Sequence, residues 1–220
     1  MRIIDASGPI ENGMWAYGPP FPDVQISPIS FPDWLSYKVY SEQVTMALQN
    51  CTYLETPAHM YPDAIKIDEV PLERCYMVDT VVLQIPKEGG QAISVADLEA
   101  ALAQSRETLK PGEALLVATG WDTHWYAPDY MTNPPYFLSE AIYWILDKKV
   151  GLLGSDTPRY DNPKKPQNFF PEFFKHDILL LAPLINLTQV TKSRVKLIAL
   201  PCKFKGCCAS PVRALIIEED

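Results

Sequence analysis

The sequence predicts an α/β fold, a mixed β-sheet with flanking helices, in one domain over residues 1–220. Short apolar runs rich in β-branched residues recur along the chain, and two helical patterns lie between them. No Pro/Gly/Ser linker divides the chain. VDTVVLQI (78–85) reads as a strand on its β-branched content. Ser94-Val-Ala-Asp97 has the form of a capping box and opens a helix over the alanine-rich segment 95–107, which carries Leu98 and Leu102. ALLVATG (114–120) is a second buried strand that stops at glycine. Ser139 opens a second helix, EAIYWILDKK, and the pair Lys148-Lys149 suits its C-terminus. VGLLGSD (150–156), DILLLAP (177–183), VKLIALP (195–201) and VRALIIEE (212–219) read as further strands.

Two proline clusters interrupt this alternation. Residues 19–32 (PPFPDVQISPISFP) hold five prolines, and 158–171 (PRYDNPKKPQNFFP) behave alike. Proline fixes its own backbone and restricts the preceding residue, so both segments are expected as extended loops. Loops of this length commonly serve as lids or binding segments. The aromatics Phe21, Phe31, Tyr160, Phe169 and Phe170 favour binding here.

The composition is that of a globular protein, 47% hydrophobic and 21% charged over 220 residues. A formal net charge of −8 argues against a nucleic-acid partner, which needs a basic face. No apolar stretch approaches the roughly 20 residues that cross a bilayer. DILLLAPLINL is short and contains Pro183, so a buried strand is expected and no membrane contact. The opening MRIIDASGPIENGMW has no apolar run behind basic residues, so no signal peptide is expected. The five cysteines (Cys51, Cys75, Cys202, Cys207, Cys208) are odd in number and include an adjacent pair. Reduced thiols in a cytoplasm are the expectation.

Chemistry concentrates in QNCTYLETPAH (49–59). Pro57 disfavours a helix between Glu55 and His59. In a strand, alternate residues share a face, which would gather Gln49, Cys51, Tyr53, Glu55 and His59. Spacing alone describes a solvated strand face equally well. The other histidines are His124, in a loop after a strand end and flanked by Trp121 and Trp125, and His176.

The segment resembles the signature His-x-Gly-Thr-His-x-Asp-x-Pro-x-His of the cyclase family, which includes kynurenine formamidases and isatin hydrolases. Thr52, Pro57 and His59 match, and Glu55 stands for the aspartate. IIDASGPIENGM, ATGW (118–121), GSDTPRYD (154–161) and ALPCKFKGCCASPVRALII (199–217) resemble further family blocks in the same order. The resemblance implies a single domain of the swivelling β/β/α type, a homodimer or larger homo-oligomer, and metal-assisted hydrolysis of a small-molecule amide or lactam. In two-metal relatives the first ion is held by the two early histidines and the aspartate. The second takes the aspartate, the last signature histidine, a later histidine and a glutamate twelve residues beyond it.

Carried over, the first set becomes Gln49, Tyr53 and Glu55, and the second Glu55, His59, His176 and Thr188. Gln49 is a weak ligand and a tyrosine ionises only near pH 10, so the first position is expected to be lost. Glu55, His59 and His176 remain for one divalent ion, zinc or manganese, or for none. The resemblance thus implies His59, Glu55 and Tyr53 as catalytic groups on a small-molecule amide, lactam or ester. Trp15, Tyr17 and Phe21 would wall the substrate, with Gln49 and Cys51 beside it. Cys51 replaces the signature glycine; next to His59 it is either a thiol nucleophile or a buried space-filler. Cys207-Cys208 replaces a small glycine-rich turn near the pocket. Arg159, at a family serine, would clamp a substrate carboxylate or pair with Asp156 or Asp161. Two alternatives stay open: a metal-independent dehydratase, cyclase or isomerase, and a non-catalytic binding protein.

Overall fold

The computed structural model describes residues 1–219. Its strands are β1 (Arg2–Asp5), β2 (Gln25–Pro28), β3 (Glu42–Thr45), β4 (Tyr53–Glu55), β5 (Val78–Gln84), β6 (Ala92–Ile93), β7 (Ala114–Ala118), β8 (Tyr136–Phe137), β9 (Leu152–Ser155), β10 (Leu179–Ala182), β11 (Arg194–Pro201) and β12 (Ala209–Glu218). The α-helices are α1 (Val95–Ser105), α2 (Ser139–Asp147) and α3 (Phe170–Lys175). The main sheet runs β1-β12-β11-β5-β7-β9-β10-β4, and β4 pairs back to β12. Seven strands therefore close into a barrel, with β1 added beside the C-terminal half of β12. The β5-β7-β9-β10 run is parallel and the remaining pairs of the main sheet are antiparallel. Closure leaves β1 as the open edge of the main sheet.

The two-residue period of a strand divides the core. In β7, Ala114, Leu116 and Ala118 join the cluster inside the barrel, while Leu115 and Val117 join a second cluster outside it. The helices supply the other half of that outer layer, through Leu98, Ile142, Ile145, Phe173 and Phe174. Burial on both faces explains why the parallel strands are unbroken apolar runs in the sequence. DILLLAP behaves this way: Leu179–Ala182 is wholly buried between β9 and β4. No helix among the described residues is long and apolar enough to cross a membrane.

The mixed α/β architecture is as expected, and α1 has its capping box. Ser94 Oγ accepts from Asp97 N at 3.2 Å, and Asp97 Oδ2 accepts from Ser94 N at 2.8 Å. Two expectations need correction. The 19–32 segment is not all loop, because β2 forms a hairpin with β3, exposed through most of its length. The 158–171 segment ends in α3 and is tied down inside. The Asp161 carboxylate accepts the backbone N–H of Asn162 at 2.7 Å, Gln167 at 2.9 Å and Asn168 at 3.0 Å. This organised loop lies against the outer face of the barrel, where Tyr53 and Glu55 emerge from β4.

Candidate active site

Strand β4 is pinned at both ends by threonines. Thr52 Oγ1 donates to Pro183 O at 2.6 Å and accepts from Gly8 N at 3.0 Å, joining β4 to the turn after β10 and to the N-terminal segment. Thr56 donates to Cys208 O through its N–H (2.8 Å) and its hydroxyl (3.1 Å). Between them Leu54 points into the barrel, and Tyr53 and Glu55 point out. The strand face does not extend to His59 as the alternation argument supposed. Pro57 opens a single 3₁₀ turn, Pro57–His59, which folds the imidazole back over the strand end. His59 Nδ1 then lies 3.1 Å from Glu55 Oε1.

Glu55 and His59 line a cavity of about 320 Å³, within the size range of small-molecule sites. Its walls are mostly apolar, with Phe21, Phe170, Leu180 and Ala182, and Tyr17, Gln49, Tyr53 and Arg159 supply most of its polar groups. Burial raises the Glu55 carboxyl to about 7, against the pull of the Gln49 amide, which donates to Oε1 at 3.2 Å. Burial lowers the His59 imidazole below its usual value, so it is neutral at physiological pH. With Nδ1–H directed to Glu55, the lone pair of Nε2 is the free one. Tyr17 donates its hydroxyl proton to Pro158 O (3.0 Å), so at the 3.1 Å contact between the two hydroxyls Tyr53 must be the donor. Burial drives Tyr53 well above its ordinary value and Tyr17 to about 12, so both stay neutral phenols.

Several expected residues lie elsewhere. Cys51 is buried among Met14, Trp121 and Trp125, outside the cavity, and its thiol donates to Thr52 O at 3.4 Å. Burial lifts that thiol to about 12, which leaves no thiolate for nucleophilic attack. Its φ of +57° is the conformation glycine adopts freely, the physical reason for glycine at this signature position. Trp15 packs behind Tyr17 against Trp125 and Tyr130 and does not reach the cavity wall. His124 is exposed and stacked on Trp121 at 4.0 Å between centroids, away from the cavity. His176 caps the C-terminus of α3 with its Nε2 3.4 Å from Glu172, and it belongs neither to the cavity wall nor to the Glu55 group. Thr188 is an exposed residue of a 3₁₀ turn.

The ligand set expected from the resemblance therefore does not assemble. Phe170, at the start of α3, and Ala182, at the end of β10, line the cavity instead. Ala182 stands in register opposite Tyr53. Neither side chain has a donor atom. Sequence reasoning had Phe170 among the binding aromatics and Cys207-Cys208 near the pocket, but it missed Ala182 and the closeness of the Cys208 sulfur, which groups with Glu55 and His59 within 4.8 Å. That Glu/His/Cys group is the one place among the described residues with three potential ligands together. Gln49 Nε2 donates to Glu55 Oε1 and approaches Cys208 Sγ at 3.7 Å, so a cation shared by these atoms would face amide hydrogens. With Gln49 donating, Tyr53 neutral and bonded to Tyr17, and His176 and Thr188 off the cavity wall, these residues do not fit a family metal pair.

Arg159 lines the cavity and pairs with neither Asp156 nor Asp161; its guanidinium lies 5.2 Å from the centroid of the Tyr17 ring. Asp156 is instead fully buried behind the site. It accepts from Thr119 N (2.9 Å), Thr119 Oγ1 (2.7 Å) and Gly120 N (2.7 Å), clamping ATGW to GSDTPRYD.

A closed mixed barrel bearing a carboxylate–imidazole pair in an outer-face cavity defines a small-molecule site of the α/β class. The chain belongs to the cyclase family: the family described as "Putative cyclase" matches residues 4–162. It is 26% identical over 218 residues to a kynurenine formamidase of Bacillus cereus, covering 97% of this chain and 96% of that one. Its fold matches isatin hydrolase A from Ralstonia solanacearum with a TM-score of 0.85, at 19% identity over 99% of this chain and 92% of that one. A potential metal-dependent hydrolase with cyclase activity matches with a TM-score of 0.77, at 18% identity over 99% of each chain.

Proposed function

We propose that this chain hydrolyses a small amide or lactam by general acid–base catalysis on the Glu55–His59 pair, without a resident metal. The observation that carries the reading is the 3.1 Å contact between Glu55 Oε1 and His59 Nδ1 at a cavity of about 320 Å³. The resemblance to amide-hydrolysing relatives supports the bond type.

In this mechanism ionised Glu55 holds the neutral imidazole by its Nδ1–H, and His59 Nε2 takes a proton from water as its oxygen attacks the carbonyl. Glu55 stabilises the imidazolium that results. Tyr53 gives its hydroxyl proton to Tyr17 and the Gln49 amide is engaged by Glu55 and Cys208, so their part is to fix the Tyr17 ring and the Glu55 carboxylate at the cavity wall. The tetrahedral intermediate collapses as the C–N bond breaks and His59 returns its proton to the leaving nitrogen. Relatives bind metal where this chain carries Gln49 and Tyr53; here those positions supply neutral hydrogen bonds.

Turnover of a panel of aryl formamides, lactams and aryl esters by the wild-type chain and by His59→Ala tests the reading. Hydrolysis lost in His59→Ala is expected. A panel hydrolysed equally by both proteins would sink it.

A further inference from the structure

Arg159 is the one guanidinium on the cavity wall, and its charge is unmatched. Its Nε–H is buried with no hydrogen-bond partner, and no carboxylate among the described residues lies within ion-pair distance. The two carboxylates that share the wall are engaged elsewhere: Glu55 by Gln49 and His59, Asp161 by the N–H groups of its own loop. The guanidinium is nevertheless held in place. It lies over the Tyr17 ring at 5.2 Å, Tyr17 is fixed by its bond to Pro158 O, and the Arg159 carbonyl accepts from Thr157 Oγ1 at 3.2 Å. A preorganised, partly desolvated guanidinium without a partner presents a planar fork of donors that matches a carboxylate. The rest of the wall is apolar and aromatic, through Phe21, Phe170, Leu180 and Ala182, and the volume limits a ligand to about one or two rings.

We propose that Arg159 sets substrate class by binding a carboxylate that the substrate already carries, so that the ligand is a one- or two-ring aromatic acid. That the acid also bears an amide or lactam presented to Glu55 and His59 rests on the hydrolytic reading above; the anion subsite does not.

Calorimetric binding of benzoate, methyl benzoate and phenyl phosphate to the full chain tests the subsite without turnover. Benzoate is expected to bind at least roughly tenfold more tightly than its ester, as a charge-assisted bidentate pair would give. Arg159→Gln should bring benzoate down to the level of the ester and leave the ester unchanged, while Arg159→Lys keeps part of the preference. His59→Ala should retain the preference for benzoate. Equal binding of acid and ester by the wild-type chain, or an Arg159→Gln variant that still prefers the acid, would overturn the subsite. Tighter binding of phenyl phosphate than of benzoate would overturn the carboxylate assignment. Should Arg159→Gln fail to fold, the acid–ester comparison in the wild-type chain decides alone. Acid selectivity without turnover of any panel member overturns hydrolysis and leaves the subsite standing; turnover without acid selectivity does the reverse.

Discussion

Two buried carboxylates, Asp156 and Glu55, have similar exposure (0% and 4%) and opposite uses. Burial raises both, Asp156 to about 6 and Glu55 to about 7. Asp156 is enclosed by three donor groups from Thr119 and Gly120 and does not line the cavity of Glu55 and His59. Glu55 has one amide and one imidazole, and it opens onto the pocket. Burial alone therefore does not mark chemistry. A carboxylate saturated by backbone and hydroxyl donors is an architectural tie, and one left with a titrating partner at a cavity can move protons.

The largest expected effect is on rate. His59→Ala and Glu55→Gln should each lower kcat/KM for a hydrolysed substrate by about 10²–10⁴-fold, the usual contribution of a positioned acid–base group. The unfolding midpoint of His59→Ala in urea should stay close to wild type, and that of Glu55→Gln should equal or exceed it at neutral pH, where a neutral amide replaces a buried carboxylate. Asp156→Ala should do the opposite. It leaves three donor groups of the Thr119–Gly120 turn unsatisfied, so a loss of about 3 kcal/mol is expected in equilibrium unfolding, with kcat per folded molecule largely kept. If Asp156→Ala proved fully stable but inactive, the division between the two carboxylates would be wrong.

Titration sharpens the comparison further. Glu55 is raised from 4.5 to about 7 on folding, so between these values the native state holds more protons than the unfolded chain. Its contribution therefore makes stability fall as pH rises from about 4.5 to about 7, by on the order of 3 kcal/mol, with no further change above. Subtracting the Glu55→Gln stability curve from the wild-type curve should isolate this fall. Activity should move the other way, rising through about pH 7 as Glu55 ionises. The smallest effect belongs to Gln49→Ala. Losing the amide that holds the Glu55 carboxyl down should shift the rate profile to higher pH and cost less than about tenfold in rate at pH 7, since one neutral hydrogen bond contributes about 1 kcal/mol.

Single strands were legible where they are buried on both faces, because such strands become continuous apolar runs such as ALLVA and LLLA, while their closure into a barrel was not. Strands β2 and β3 were not, since their exposed residues carry no apolar alternation. At the site, Glu55 and His59 could be placed from the motif, while the turn that joins them could not be inferred from a strand pattern. Of the wall residues outside the motif, Phe170 was legible as a loop aromatic, whereas Ala182 was not, because a buried alanine in an apolar strand carries no chemical signal. His176 took the ligand assignment as the one histidine late in the chain, and it lies beyond the far end of α3, off the cavity wall. Cys208 was noted only as a departure from a small turn, because its closeness to Glu55 arises from the β4–β12 pairing that closes the barrel.

The central claim is proton transfer by Glu55 and His59 at a family site whose metal chemistry has been replaced. Elemental analysis of chain purified without chelator, paired with hydrolysis rates before and after exhaustive chelation, tests it most directly. The account predicts substoichiometric metal and an unchanged rate. A stoichiometric divalent ion whose removal abolishes hydrolysis, and whose return restores it, would contradict it.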